Sequence, residues 1–198
     1  CDGASVLDRL SDADRLELDA SIAATPYPQG LLLQATKGDK ILHLVGTMHV
    51  YDPRLDPILA QIAPLIPDAD LILLETTNAA EAQLQADLAA KPELLFITEG
   101  PTLPDLLPEA VWQTLADQAR ARQIPAFMAA KFQPWYLALM LGVPPCAMEG
   151  MVTGQRGLDH MIMDQADATG TPTQALEPYD TLFTLFGSES MDAQIEML

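Results

Sequence analysis

Apolar residues along the chain recur in two registers, three-and-four spacing and short unbroken runs, and the switches between them predict an order of elements. SVLDRLSDADRLELDASIAA has apolar positions near helical spacing with a break or cap at Ser11 and Asp12, which predicts two short helices that TPYPQG ends. GLLLQAT and KILHLVG are extended apolar runs joined by KGDK, whose Gly-Asp pair favours a tight turn, so they predict a β-hairpin. DPRLDPILAQIAPLI reads as a helix that tolerates Pro57 in its first turn, and DADLILLE as a short strand of the fully buried kind. NAAEAQLQADLAA is a strong helix by propensity, opened by a capping-type Asn78 with Glu81 three residues on, and it stops before Pro92. Further helices are predicted from about Pro108 to Gln123, after Pro134 in KFQPWYLALMLGV, and over TGQRGLDHMIMDQADATG, with Gly170 as a natural left-handed end. TPTQALE is a second short strand, and PYDTLFTLFG a helix that begins at its proline.

This order is that of an α/β domain, a mixed β-sheet flanked by helices. The non-alternating runs at residues 70–75 and 173–177 predict helices on both faces. Two regions follow: an N-terminal helical arm over residues 1–27 and the α/β domain over residues 28–198.

Composition narrows the classes. A chain of 198 residues that is 49% hydrophobic and 19% charged is globular and long enough for a full core. A net charge of −18 repels phosphate backbones and anionic headgroups, which excludes nucleic acid as a partner. Apolar stretches such as WYLALMLGV fall well short of the roughly 20 residues that cross a bilayer, so no transmembrane segment is predicted. The two cysteines, Cys1 and Cys146, have the wrong separation for a C-x-x-C site. Three readings stand: a terminus left by signal-peptide removal, a lipid-modified Cys1, or a Cys1–Cys146 disulfide. An acidic chain without its own start methionine is expected to be exported to the periplasm or cell envelope, with Cys1 the place for a lipid anchor.

The candidate chemistry lies at strand ends. KILHLVG runs through Gly46 and Thr47 to His49, DLILLE ends on Glu75, and PTQALE ends on Glu177. Ligands of open α/β sheets bind outside the carboxyl ends of strands. Three such strands lying parallel and adjacent would bring one imidazole and two carboxylates to one rim, a set suited to a divalent metal or to general acid and base work. Taken singly, Glu75 or Glu177 reads equally well as a helix-capping or solvated group. His43 alternates with Ile41 and Val45, so it packs in the strand. His160 falls in the first turns of an amphipathic helix and reads as a surface histidine, with Asp159 and Arg156 near enough in sequence to set it at a rim. Met148, Met151, Met161 and Met163 read as core or adaptable groove residues. There is no G-x-S-x-G, no glycine-rich phosphate loop and no H-E-x-x-H.

Taken together, LVGTMHVYDPRL, LILLETT, GPTLPDLL, FMAAKFQPWYLALML and GLDHMIMDQADATGTPTQALEPYDTLFTLF resemble the TraB/GumN family, which also contains the pheromone-shutdown proteins and is similar to the Tiki-type proteases. The likeness runs from about residue 28 to the end and rests on the joint occurrence of G-T-x-H, the strand-ending Glu, the G-L-D helix and the A-L-E strand. It implies a fold similar to that of the erythromycin-esterase and ChaN-like proteins, and a metal-dependent hydrolase, a peptidase, using Zn, Mn or Co. By the resemblance His49 is a metal ligand and catalytic, Glu75 a ligand or general base, and Glu177 a further ligand. Gly46, Thr47, Asp159, His160 and Arg156 are rim candidates. The implied partners are a peptide or small-molecule substrate and a second copy in a homodimer. Members carry a second glycine-histidine motif of the form G-x-G-H in a C-terminal half. This chain ends at Leu198 without it, so the expectation is of a chain that lacks the family's C-terminal portion. Gly157-Leu158-Asp159-His160 has the letters of G-x-x-H but stands where the family has its G-x-D helix. The competing class is a non-catalytic exported protein that sequesters a peptide or haem-like ligand in the same crevice.

Overall fold

The computed structural model describes residues 5–198. Cys1, and with it the expectation of a Cys1–Cys146 disulfide or a lipid anchor, lies outside the described residues. The chain divides into two compact units, Cys1–Met48 and His49–Leu198.

In the first unit a single 3-10 turn, Val6–Arg9, precedes helix α1, Asp12–Ala24. Ser11 caps α1 by accepting the Asp14 N–H at 3.2 Å, the break its sequence predicts. Strands β1, Leu32–Lys37, and β2, Lys40–Val45, form the predicted antiparallel hairpin, with Leu32 opposite Val45 and Lys37 opposite Lys40. The turn needs Gly38, whose φ of 64° is left-handed. His43 sits opposite Gln34 and its Nε2 lies 3.2 Å from the Gln34 Oε1, a lateral pair within the hairpin.

The second unit opens with α2, Asp56–Ile62, which holds Pro57 in its first turn, where no N–H is needed. Strand β3, Ile72–Leu74, then pairs in parallel with β4, Thr173–Ala175, placing Leu74 beside Ala175. The chain is thus α/β with small sheets flanked by helices. The antiparallel and parallel pairings expected of one mixed sheet are divided between two two-stranded sheets among the described residues. β3 also departs from two-sided burial: Leu74 is 9% exposed but Leu73, on the other face, is 50% exposed. An unbroken apolar run signals the strand but not how many layers cover it.

Between these strands lie α3 (Asn78–Ala90), α4 (Leu103–Leu106), α5 (Glu109–Ala121), α6 (Ala126–Ala129), α7 (Pro134–Gly142), α8 (Pro145–Val152) and α9 (Leu158–Thr169). α10 (Thr181–Gly187) and α11 (Met191–Ile195) follow β4, with α10 beginning three residues after Pro178. No single helix among the described residues is long and apolar enough to cross a bilayer.

The core gathers on α5. Trp112, Leu115, Ala116 and Ala119 recur at helical spacing on one face and pack with Leu103, Ala129, Phe132 and Leu137. Leu103 and Leu137 are wholly buried. α5 ends in a Schellman motif: the Ile124 N–H donates to the Ala119 carbonyl and the Gln123 N–H to the Arg120 carbonyl, both at 3.0 Å, while Gln123 takes a left-handed φ of 62°. Arg122, 9% exposed, then turns inward. Its guanidinium donates to the carbonyls of Val143 at 2.7 Å, Leu141 at 2.8 Å and Gln118 at 2.9 Å, which locks the end of α5 to the end of α7.

Candidate functional site

α9 supplies the anchor of the site. Gly157 is its N-cap and Leu158, its first residue, is fully buried, so the next two side chains, Asp159 and His160, leave from a fixed backbone. At the other end Gly170 is left-handed with a φ of 72°, and Thr171 donates its hydroxyl to the Ile66 carbonyl at 3.0 Å, which ties α9 to the segment leading into β3. α3 is fastened alongside: Asn78 donates its side-chain N–H to Asp167. The helix N-cap is Thr77, which accepts the Ala80 N–H at 3.2 Å, one residue earlier than the Asn78–Glu81 spacing predicts. Glu81 is thereby released from capping.

His49, the first residue of this unit, stands between two carboxylates. Its Nδ1 lies 2.9 Å from the Asp159 Oδ2, and its Nε2 lies 3.1 Å from the Oε2 of Glu75, the residue after β3. The chain of contacts runs on: the Asp159 Oδ2 is also 3.1 Å from the His160 Nδ1, and the His160 Nε2 is 2.7 Å from the Glu81 Oε1. Arg156 stands at the far end, 2.7 Å from Asp164 and 3.9 Å from Glu81. Exposure falls steeply inward, from 64% for the side chains of His49 and Glu75 to 24% for His160 and 13% for Asp159.

The Asp159 hydrogen bond raises the His49 pKa above its ordinary 6.5. Partial burial opposes this, and the charges of Asp159 and Glu75 reinforce it. The Asp159–His160 approach is close in distance but misaligned: the His160 Nδ1 and the Asp159 Oδ1 are both buried without a hydrogen-bond partner.

Of the residues singled out from sequence, the structure brings together His49, Glu75, Asp159 and His160, with Arg156 beside Glu81. His160 is a paired, half-buried member of this chain rather than a free surface group. Glu177 follows β4 at the same end of the parallel pair as Glu75, where the Leu176 N–H donates to the Leu74 carbonyl at 2.7 Å. Its own side chain is exposed and makes no hydrogen bond or ion pair among the described residues. Gly46 and Thr47 belong to the first unit, where the Gly46 N–H closes the hairpin mouth on the Leu31 carbonyl at 2.8 Å. Glu81 is the participant that sequence reasoning assigned elsewhere; its spacing from Asn78 signals a cap, and nothing local signals a histidine 79 positions away.

Imidazole and carboxylate are donor types that divalent ions take. A neutral imidazole whose Nδ1–H is held by a carboxylate presents Nε2 outward, with a second carboxylate beside it, and Asp159 keeps a buried oxygen with no partner. The fit extends to two donors, since no group of three or more His, Cys, Asp or Glu side chains is placed to hold a metal among the described residues. No curated protein and no solved structure gives a significant match to the chain. The profile of the TraB/PrgY/gumN family matches residues 31–198.

Proposed function

We propose that this chain, which belongs to the TraB/PrgY/gumN family, is a metal-dependent hydrolase of peptide bonds centred on His49. The observation that carries the reading is the pair of carboxylates on the two ring nitrogens of His49, Asp159 at 2.9 Å and Glu75 at 3.1 Å. His49 through Nε2 and Glu75 through a carboxylate oxygen would hold the ion, with Glu177 the further candidate at the end of the paired strand. When bound, a divalent ion of the Zn, Mn or Co type polarises a carbonyl and lowers the pKa of water.

The remaining work falls to the protein. Asp159 accepts the Nδ1–H, which selects the tautomer with a lone pair on Nε2 and fixes the ring plane. Glu75, exposed and adjacent, would alternatively leave the ion to other donors and take a proton from an attacking water as general base.

Two measurements test the reading. The first is metal content after dialysis against Zn2+, for wild type and His49→Ala. Bound metal in wild type and its loss in the variant are expected; equal, negligible metal in both overturns the proposal. The second is mass spectrometry of peptides incubated with the metal-loaded protein: cleavage is expected, and peptides retained but recovered intact would instead assign the site to sequestration.

A further inference from the structure

We infer that Glu81 and His160 are positioning residues for His49, acting through Asp159 from a second helix; this rests on the reading of His49 as the centre of the site. An imidazole with 64% of its side chain in solvent is not held by packing, so its orientation depends on the groups it bonds. Glu75 is equally exposed, whereas the Asp159 side chain is only 13% exposed, which makes Asp159 the more firmly held partner. Asp159 in turn has only one oxygen engaged: Oδ2 faces both His49 and His160, and Oδ1 has no partner. On its inner side that Oδ2 stands 3.1 Å from the His160 Nδ1, an approach without a hydrogen bond, so the ring limits where the carboxylate can turn. The ring is fixed from behind by Glu81 at 2.7 Å.

The chain thus crosses from α3 to α9 before it reaches the rim, and the Asn78–Asp167 bond joins the same two helices, about one turn earlier on α3 and two turns later on α9. Arg156 borders Glu81 at 3.9 Å and is itself bound to Asp164 at 2.7 Å, which places a positive charge at the other end of the row from Glu75. Partners one step behind a metal-ligating histidine typically alter metal affinity 10- to 100-fold when removed. Here the chain reaches three steps behind, through Asp159 and His160 to Glu81, which touches no candidate ligand.

The test uses metal-free protein and the ring-nitrogen NMR signals of His49, recorded where the ring is neutral. Wild type is expected to show the single tautomer with the proton on Nδ1. Glu81→Ala and His160→Gln are expected to lose that single form and give a mixture. Glu81→Gln, whose amide oxygen still accepts from the His160 Nε2–H, is expected to keep it. In a competition titration with a chromophoric chelator, Zn2+ alone should bind Glu81→Ala up to about tenfold more weakly than wild type, the low end of the range for a partner that touches the ligand directly. Thermal unfolding of each variant separates loss of positioning from loss of fold, and Glu81→Gln serves where Glu81→Ala does not fold. A His49 tautomer unchanged in folded Glu81→Ala or His160→Gln overturns the inference. So does its loss in folded Glu81→Gln. Should wild type bind no Zn2+, the hydrolase reading fails on its own while the tautomer result still decides the positioning role.

Discussion

Asp159→Asn is the substitution that separates charge from shape at the centre of this site. The amide has nearly the volume of the carboxylate and can still accept the His49 Nδ1–H, so the 2.9 Å contact survives as a neutral hydrogen bond. What disappears is the charge, in a side chain only 13% exposed, where solvent screens it poorly. The Asp159 hydrogen bond and its charge both raise the His49 pKa, and burial alone pushes it down. The variant's His49 is therefore expected to titrate closer to 6.5, followed through the ring C–H signals by NMR. For metal affinity, a neutral partner behind the imidazole makes Nε2 a poorer donor, with an expected loss of about tenfold to a hundredfold, or roughly 1.4 to 2.8 kcal/mol. The linkage to stability has a definite sign. A pKa raised on folding means that the His49 contribution is fully present below pH 6.5 and is lost as pH rises through the folded value. The wild type minus Asp159→Asn difference in unfolding free energy should accordingly shrink as pH rises above 6.5 through the folded value, by a small amount because His49 is two-thirds exposed. An unchanged His49 titration together with unchanged Zn2+ affinity would refute the assignment of Asp159 as the group that holds the imidazole.

Two further expectations concern the scaffold. Arg122→Ala removes a buried cation that satisfies three carbonyls at the ends of α5 and α7, and it should lower the unfolding free energy by about 3 kcal/mol in a urea titration, with little change at the His49 signals. Gln123→Gly relieves a left-handed backbone at a helix end, where glycine has no Cβ to strain, and should raise stability by about 0.5 to 1 kcal/mol by the same measurement; a loss would show that the Gln123 conformation carries no strain.

Much of the local structure was legible because its signals are local. Ser11 caps α1, Gly38 turns the hairpin, and α3 occupies Asn78–Ala90, each where propensity and spacing place it. The strand pairing was not legible, because apolar runs specify strands but not neighbours: β3 and β4 are about a hundred residues apart and join in parallel, while β2 pairs only with β1 among the described residues. The same boundary runs through the site. His49 and Glu75 drew notice by following a glycine and a buried strand, and Asp159 and His160 by opening a helix. Glu81 carries the spacing of a capping residue, yet Thr77 takes the cap and Glu81 faces His160 instead. Only tertiary contact decides between those two uses of one carboxylate. Gln123 shows the same limit in the backbone, since glycine or asparagine is the usual signal at that position.

The latch between α5 and α7 contains no group that titrates in the ordinary range. A guanidinium keeps its charge across the whole pH scale accessible to proteins, and the carbonyls it binds have no proton to gain. The row from Glu75 to Glu81 is the reverse, built entirely from carboxylates and imidazoles. Contacts between carboxylate and imidazole depend on where protons sit, whereas those of the latch do not, so a change of pH should alter the His49 signals while the helical core stays clasped.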